Sequence, residues 1–333
     1  MRNNYTYIFF VYVILALFLL VPSHAGAEKA LKKASFIPQW SPQAQFAGYY
    51  VALEKGIYKK YGIDLTIISG GPDRHPTDFL KNKKADFATF WLSTAIQRRS
   101  GGIKIINIGQ IIQKSALMLV AKKASGIKTY TDINNKKVSI WEGDFAIQPH
   151  AFFKKYNLNV KIIPQSYSVN LFLRGGVDAV SAMLYNEYHT IINSGLDTDE
   201  LTTFFYYDYG LNFPEDGIYT LEDTFQKDPE LSCAFVKASI EGWLYAFSHP
   251  QEAIDIVLKS MTQAKVPANR MHQKWMLEKM EELISPENSQ ENIGVLKQSD
   301  YELVAQELKK VGLIKAIPLF KDFHRKCNSH VQK

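Results

Sequence analysis

Short apolar runs alternate with amphipathic stretches along the first two thirds of the chain, a pattern typical of α/β layers. We therefore predict an α/β fold in which each apolar run is a β-strand. The predicted strands are Ala34–Pro38, Asp64–Ile68, Asp86–Phe90, Lys104–Ile108, Leu117–Ala121, Lys137–Ile140, Lys161–Pro164, Ala179–Leu184 and Leu201–Tyr206.

Amphipathic stretches between these runs predict helices, and from Pro229 onward the pattern becomes almost wholly helical. The helices predicted between strands are Pro42–Lys55, Ser93–Arg99, Phe152–Tyr156, Val169–Arg174 and Glu187–Asn193. Those predicted after Pro229 are Glu230–Ser248, Pro250–Met261, Pro267–Ile284 and Ser299–Val311. The second group predicts a helical C-terminal extension.

The first predicted helix, Pro42–Lys55, has recognisable start and stop signals. Ser41 is a good N-cap, and Pro42 suits the first helical position because its missing N–H is harmless there. Gly56 supplies a left-handed stop. The helix directly follows a strand that ends near Trp40, so its free N–H groups are expected at the carboxyl edge of the sheet. Ligands of open α/β sheets bind at that edge.

The length of the chain predicts two lobes, since 333 residues are too many for one compact core. A break at Ala124-Ser125-Gly126 predicts a hinge within Ala121–Lys137, and the chain is expected to return near Asn212–Gly217. Such double crossings let two lobes close on a ligand as rigid bodies. The predicted bounds are residues 34–121 and 218–325 for lobe one and residues 122–217 for lobe two.

The first 27 residues have the layout of a secretory signal peptide. An uncharged apolar run, Ile8–Val21, is followed by Pro22 and by small residues suited to cleavage. An uncleaved membrane anchor is the alternative, because the run approaches the ~20 residues that a membrane helix needs. Cleavage is favoured, and the absence of a nearby Cys argues against a lipoprotein. We therefore predict a periplasmic protein.

Charge and cysteine content narrow the class of partner. The formal net charge is +6, but the Lys and Arg residues are scattered as pairs among Asp and Glu, so no basic face for nucleic acid is predicted.

The sequence contains two cysteines, Cys233 and Cys327. An oxidising compartment permits a disulfide between them, but a buried Cys233 with a free Cys327 is an equal alternative.

The sequence gives little support for an enzyme. It contains no phosphate-binding loop, dinucleotide fingerprint, His-Glu-x-x-His zinc motif or Gly-x-Ser-x-Gly elbow. The eight His residues are dispersed and do not form a metal-ligand set. We predict no catalytic residue, no metal and no cofactor.

Aromatic and amide side chains instead collect where predicted strands end. Trp40, Trp91 and Trp141 each follow a strand, and Tyr185-Asn186-Glu187 follows another. A flat heteroaromatic ligand needs ring faces for stacking and amides or carboxylates for orientation. Each Trp alone is as readily a core residue, but three at strand ends favour a shared cleft.

Several stretches resemble the family of thiamine-pyrimidine-precursor binding proteins (NMT1/THI5-like), which are solute-binding proteins of periplasmic ABC transporters. The strongest is Gln45-Phe-Ala-Gly-Tyr-Tyr-Val-Ala-Leu-Glu-Lys-Gly-Ile-Tyr58. Further similar stretches are Ile68–Asp73, Lys84–Ala88 and Met183–Tyr188. The resemblance implies the type II periplasmic-binding-protein fold, a small-molecule ligand between the lobes and delivery to an inner-membrane ABC permease. We expect a monomer.

The resemblance also suggests which residues contact the ligand. Trp40 matches the family's stacking aromatic. Gly70-Gly71 and Asp73 match a loop facing the cleft, and Trp141 with Asp144 matches the facing loop of lobe two. Glu187 is the first choice for a charge-assisted bond to a ring amino group. The full predicted set is Trp40, Gln45, Tyr49, Gly71, Asp73, Trp91, Ser93, Trp141, Asp144, Tyr185, Asn186 and Glu187.

Two other functions fit the same resemblance. One is a sensor that reports ligand occupancy to a signalling partner. The other is a thiamine pyrimidine synthase, but the eukaryotic enzyme carries a Lys and a His where this chain has Phe90 and Thr94. The leading hypothesis remains a binder of a small planar nitrogen heterocycle, a thiamine pyrimidine precursor.

Overall fold

The computed structural model describes residues 30–286 and 289–327, so the predicted signal peptide lies outside the described residues. Its ten strands are β1 Lys32–Ile37, β2 Ile63–Ile67, β3 Phe87–Trp91, β4 Ile105–Gln110, β5 Leu117–Lys122, β6 Lys137–Ile140, β7 Lys161–Pro164, β8 Ala179–Met183, β9 Leu201–Phe205 and β10 Asp216–Leu221. Nine correspond to predicted strands within a few residues, and β10 was not predicted.

The α-helices in the described part of the chain are α1 Ala47–Glu54, α2 Ile57–Lys60, α3 Pro76–Lys81, α4 Leu92–Ser100, α5 Ile147–Lys155, α6 Asn170–Leu173, α7 Glu187–Ile192, α8 Glu222–Lys227, α9 Pro229–Ser248, α10 Pro250–Gln263, α11 Arg270–Ile284, α12 Gln298–Lys310 and α13 Phe320–Phe323. The long helices α9 to α12 confirm the predicted helical C-terminal region. None of the helices in the described ranges has the length and apolar character that spanning a membrane requires.

The strands form two five-stranded sheets, one in each lobe. The order is β2-β1-β3-β10-β4 in lobe one and β7-β6-β8-β5-β9 in lobe two. In lobe one, β10 runs antiparallel to both of its neighbours, and in lobe two β5 does the same. The other pairings are parallel. Each antiparallel strand is the first that the chain forms after it crosses between the lobes.

The outgoing crossing differs from the predicted hinge. Because β5 pairs with β8 and β9, the chain has already reached lobe two by residue 117, and the crossing lies at residues 111–116. The hinge predicted within residues 121–137 was therefore wrong, and the boundary predicted at residue 121 is one strand too late. The Gly126 break that suggested it is a left-handed turn after β5, inside lobe two.

The first helix also begins differently from the prediction. A short 3-10 turn, Ala44–Phe46, precedes α1, and neither Ser41 nor Pro42 belongs to a helix. The backbone N–H of Ala44 donates to Oε1 of Gln273 at 2.7 Å. A side chain of α11 thus satisfies an amide that an N-cap would otherwise serve. The predicted stop is confirmed, since Gly56 has a φ of 70°.

Cys233 and Cys327 form a disulfide across 94 residues of sequence, which resolves the alternative left open by the sequence. Cys233 lies in α9 and Cys327 follows α13. Just before Cys327, the N–H of Arg325 donates to the carbonyl of Asn107 on edge strand β4 at 2.9 Å. The disulfide and this bond together hold the end of the described chain against lobe one.

The helix pair α1 and α9 explains one glycine of the family-like stretch. A Cβ built on Gly48 of α1 would overlap the indole of Trp243 on α9. Trp243 is buried and packs edge-on against Tyr49 at 5.9 Å between ring centroids. Gly48 therefore sets how closely the two helices approach.

We predict that Gly48→Ala lowers the free energy of unfolding by about 1–3 kcal/mol, the usual cost of overpacking a close-packed core. Gly101→Ala is the matched control, because a Cβ there would meet only Arg98 O at 3.4 Å and Gln97 O at 3.5 Å. Urea unfolding followed by circular dichroism measures both. Equal stability of the two variants would contradict the assigned role of Gly48.

Candidate functional site

The crossings bring the carboxyl ends of the parallel strands of both sheets to one place. The first residue of β10, Asp216, pairs with the last residue of β3, Trp91. In lobe two, Leu117 at the start of β5 pairs with Met183 at the end of β8. Segments 111–116 and 206–215 therefore join the carboxyl edge of one sheet to that of the other, which is where open α/β sheets bind ligands.

Aromatic side chains from both lobes meet at this edge. Trp40 of lobe one lies 5.6 Å from Tyr167 of lobe two, and Trp91 lies 4.7 Å from Phe145, between ring centroids. Trp141 packs 5.9 Å from the same Phe145. Trp40 and Trp91 thus contact rings of lobe two, and Trp141 packs within lobe two against the ring that Trp91 contacts. Tyr167, which is 74% exposed, was not predicted and lies in a polar loop that gave no signal.

A polar contact also joins the lobes near these rings. Oγ1 of Thr94 on α4 donates to Oδ2 of Asp144 at 2.9 Å, and Arg98 approaches the same carboxylate at 3.9 Å. Asp144 is therefore at the lobe interface, as its predicted role requires, but its carboxylate already has partners within the protein. Ser93, the neighbour of Thr94, is buried in the first turn of α4.

Gly70 and Gly71 of the predicted loop have different structural roles. A Cβ on Gly70 would overlap the carbonyl oxygens of Pro38 and Trp40, so this glycine permits the loop to lie against the Trp40 backbone. Gly71 forms a tight turn with Arg74. Asp73 lies exposed on that turn, and none of the hydrogen bonds found among the described residues joins it to the rest of the predicted set. Its proposed contact with a ligand remains a prediction.

Buried carboxyl groups form the polar part of the edge. Asp216 accepts a hydrogen bond at Oδ2 from Nε2 of Gln45 at 2.9 Å. Glu215 accepts from the backbone N–H of Ala116 and from the hydroxyl of Tyr185, the latter at 3.4 Å. Glu215 and Asp216 are 1% and 2% exposed. The outgoing crossing thus binds Glu215 through Ala116, and lobe one binds Asp216 through Gln45.

Glu187 lies on the lobe-two side of the same edge. It is half-buried, and its oxygens accept from the N–H of Met183 at 3.0 Å and from Nδ2 of Asn186 at 2.7 Å. The buried hydroxyl of Tyr185 donates to Glu215 at 3.4 Å. Burial raises the pKa of Tyr185 well above its ordinary value, and the charges of Glu215, Asp216 and Glu187 raise it further. Tyr185 therefore connects the predicted Tyr185-Asn186-Glu187 segment to the buried acids, and the three acids are called the acidic cluster below.

Burial determines the protonation of this cluster. It raises the pKa of Glu187 and of Asp216 to about 7, and it raises the pKa of Glu215 well above the ordinary value. In the described part of the chain, no Lys or Arg forms an ion pair with any of the three. The described residues also contain no metal-binding group of three or more His, Cys, Asp or Glu. The arrangement is suited to accept N–H donors from a ligand.

Sequence reasoning missed Glu215 and Asp216. They occur in an extended stretch, Asn212–Gly217, that was assigned to the return crossing, so their side chains had no predicted position. The available signal was a pair of acids one residue before the apolar run Ile218–Leu221. An acid at the start of a buried strand lies where the strands of the sheet end.

The helical C-terminal region also reaches the site. Nε2 of His272 on α11 lies 2.8 Å from Oδ1 of Asn186, and Nδ1 of His272 lies 3.0 Å from Nδ1 of His189 on α7. Nε1 of Trp275 donates to the carbonyl of Leu184 at 3.0 Å. Helix α11 therefore contacts the segment that carries Tyr185 and Glu187.

A family model described as NMT1/THI5 like matches residues 43–253. The chain belongs to this family. The formylaminopyrimidine-binding protein of Halalkalibacterium halodurans is 22% identical over 261 residues, which cover 73% of this chain and 75% of that protein. The 4-amino-5-hydroxymethyl-2-methylpyrimidine phosphate synthase of Legionella pneumophila is 24% identical over 258 residues, covering 72% and 78% respectively. Both relatives align over most of their length.

Among solved structures, the periplasmic aliphatic sulphonate binding protein SsuA of Escherichia coli superposes with a TM-score of 0.70 at 14% identity. The match covers 88% of this chain and 92% of that one. This similarity, together with the two sheets and their order, confirms the predicted two-lobed periplasmic-binding-protein fold.

The raised pKa of Asp216 predicts how stability depends on pH. An acid whose folded pKa lies above its unfolded value stabilises the fold at low pH and loses that contribution as pH rises. For Asp216 the loss falls between its ordinary value of 3.8 and about 7. We therefore expect parent stability, relative to Asp216→Asn, to fall by up to about 4 kcal/mol across this range, at about 1.4 kcal/mol per pH unit.

Urea unfolding of both proteins from pH 4.5 to 7.5 measures this difference. The pKa of half-buried His324 is lowered to about 4, but this residue titrates in both proteins, so its effect on the stability difference largely cancels. A difference that stays constant with pH would show that Asp216 does not titrate in this range.

Proposed function

We propose that this protein is the periplasmic solute-binding component of an ABC importer and holds a small planar nitrogen heterocycle, a thiamine pyrimidine precursor, between its lobes. The observation that carries the proposal is the meeting of aromatic rings and buried, cation-free carboxyl groups where the carboxyl edges of the two sheets face each other. The chain would act as a monomer that delivers its ligand to an inner-membrane permease.

Each part of the site would serve one requirement of such a ligand. The rings of Trp40 and Trp91 offer faces or edges for a flat heterocycle. Glu187, already oriented by Met183 and Asn186, would accept a hydrogen bond from an amino group. Bringing a basic heterocycle to a buried carboxyl group favours the ionised acid, since an opposite charge offsets the cost of burial. The named ligand of the formylaminopyrimidine-binding relative agrees with this chemistry.

The synthase named among the relatives suggests a second function, which the local structure does not favour. Phe90, at the position of the Lys in the eukaryotic synthase, is buried and stacks on Tyr219 at 4.3 Å between ring centroids. Thr94, at the position of the His, is bonded to Asp144. Phe90 therefore packs in the core, and Thr94 forms a hydrogen bond across the lobe interface. Purified protein given pyridoxal phosphate and iron should form no pyrimidine product.

We predict that a thiamine-pathway aminopyrimidine stabilises the purified protein by about 2.7 kcal/mol at 100 times its dissociation constant. The protein is first unfolded and dialysed to remove co-purified ligand, then refolded. Thermal shift is measured with formylaminopyrimidine, hydroxymethylpyrimidine, thiamine, riboflavin and an alkylsulfonate. A shift with the sulfonate alone would contradict the proposed ligand class.

The role of Glu187 is tested by Glu187→Gln, which keeps the shape of the side chain and removes its charge. We expect calorimetric affinity for the aminopyrimidine to fall at least 10-fold, because a charge-assisted bond becomes a neutral one. Glu230→Gln is the matched control, since Glu230 is also an acid in the first turn of a helix but is exposed. Unchanged affinity in Glu187→Gln would remove this residue from the site.

A further inference from the structure

Asp216 and Trp91 carry two buried polar atoms that no other described residue satisfies. Among the residues that the structure describes, Oδ1 of Asp216, a hydrogen-bond acceptor, and Nε1 of Trp91, a donor, each lack a partner although both residues are at most 4% exposed. Buried polar groups are normally paired, because leaving one unpaired costs free energy. Two such atoms at the lobe interface suit a ligand that supplies one donor and one acceptor.

The strand register places these two side chains on the same face. Asp216 and Trp91 are directly opposite in the antiparallel pair of β10 and β3, and opposite residues of such a pair have Cβ atoms about 4.5–5.5 Å apart. Their unsatisfied atoms are not bonded to each other. The two side chains are thus neighbours on one face of the lobe-one sheet, and each carries one atom without a partner among the described residues.

Neighbouring side chains hold Asp216 with its Oδ2 hydrogen-bonded and its Oδ1 without a partner among the described residues. Nε2 of Gln45 donates to its other oxygen at 2.9 Å, and Oε1 of Gln45 accepts in turn from Nε2 of Gln43 at 2.6 Å. The chain Gln43–Gln45–Asp216 sets the amide of Gln45 as a donor, so Oδ2 is occupied and Oδ1 remains free. Trp91 is held by its edge-on contact with Phe145 of lobe two.

We propose that Asp216 and Trp91 form a two-point specificity site that recognises an amino group next to a ring nitrogen. Oδ1 of Asp216 accepts from the amino N–H, and Nε1 of Trp91 donates to the adjacent unprotonated ring nitrogen. This proposal rests on the proposed function and narrows it: the ligand class is the aminopyrimidine, and the corresponding oxo compound is rejected. The oxo compound presents a carbonyl to the carboxyl group and an N–H to the indole, which reverses both hydrogen bonds.

The test compares 4-amino-5-hydroxymethyl-2-methylpyrimidine with its 4-oxo counterpart by calorimetry at pH 8. At this pH the solution is above the pKa of about 7 to which burial raises Asp216, so the acid is ionised and its Oδ1 is an acceptor. The parent protein should bind the amino compound at least 30-fold more tightly, about 2 kcal/mol at 1.4 kcal/mol per tenfold, because the oxo compound leaves both buried polar groups wrongly paired. In Asp216→Asn the preference should shrink to about 3-fold or less, since an amide can donate to the oxo group as well as accept. Asp64→Asn, an exposed acid of the same sheet, is the matched control and should keep the parent preference.

The outcomes separate this inference from the proposed function. Equal affinity of the parent for both compounds overturns the two-point site while leaving a pyrimidine binder in place. An undiminished preference in Asp216→Asn assigns the discrimination elsewhere, with Glu187 as the alternative, and also overturns it. Failure of the parent to bind either compound overturns the proposed function together with this inference. The parent comparison does not depend on whether any variant folds.

Trp91→Phe provides a second readout, because it keeps an aromatic ring and removes only the indole N–H. We expect it to weaken binding of the amino compound about 10-fold, without weakening a 3-deaza analogue that lacks the ring nitrogen. Equal weakening of both compounds would show that Trp91 acts through packing alone, and would overturn its assigned hydrogen bond.

Discussion

The double crossing of the chain is the constraint on which the rest of the structure depends. Segments 111–116 and 206–215 leave one sheet at its carboxyl edge and enter the other at the same kind of edge, so β5 and β10 must run antiparallel to their neighbours. The ends of the parallel strands then face each other across a short gap. Any side chain at a strand end, whether Trp91, Met183 or Asp216, is placed at the lobe interface by connectivity alone.

The same constraint explains why acids accumulate where burial makes them costly. Glu215 and Asp216 end a crossing segment and begin a buried strand, so they cannot reach bulk solvent. Backbone and amide donors, from Ala116 and Gln45, satisfy one oxygen of each without neutralising it. Burying an acid without a cation raises its pKa and costs free energy. Of the two acids, only Asp216 keeps an oxygen, Oδ1, without a donor from the described residues.

Strand and helix positions could be predicted from sequence because they depend on local periodicity, and nine strands and the C-terminal helices were found in this way. The errors came from contacts distant in sequence. Helix α1 was predicted to start at Pro42, but it starts at Ala47 after a 3-10 turn, and Gln273 of α11, more than 200 residues away, accepts from the first amide of that turn. The hinge was misplaced because Gly126 marks a turn without revealing which sheet β5 joins. Trp40, Trp91 and Trp141 were placed correctly at strand ends, whereas Asp216 required the pairing of β10.

The C-terminal helices take part in positioning both lobes. Helix α11 satisfies the N–H of Ala44 in lobe one through Gln273, and it contacts Asn186 in lobe two through His272. The end of the same helix accepts, at the carbonyl of Leu283, from the N–H of Gln113 in the outgoing crossing. Helix α11 of the predicted C-terminal extension therefore contacts lobe one and lobe two near its start and the outgoing crossing near its end.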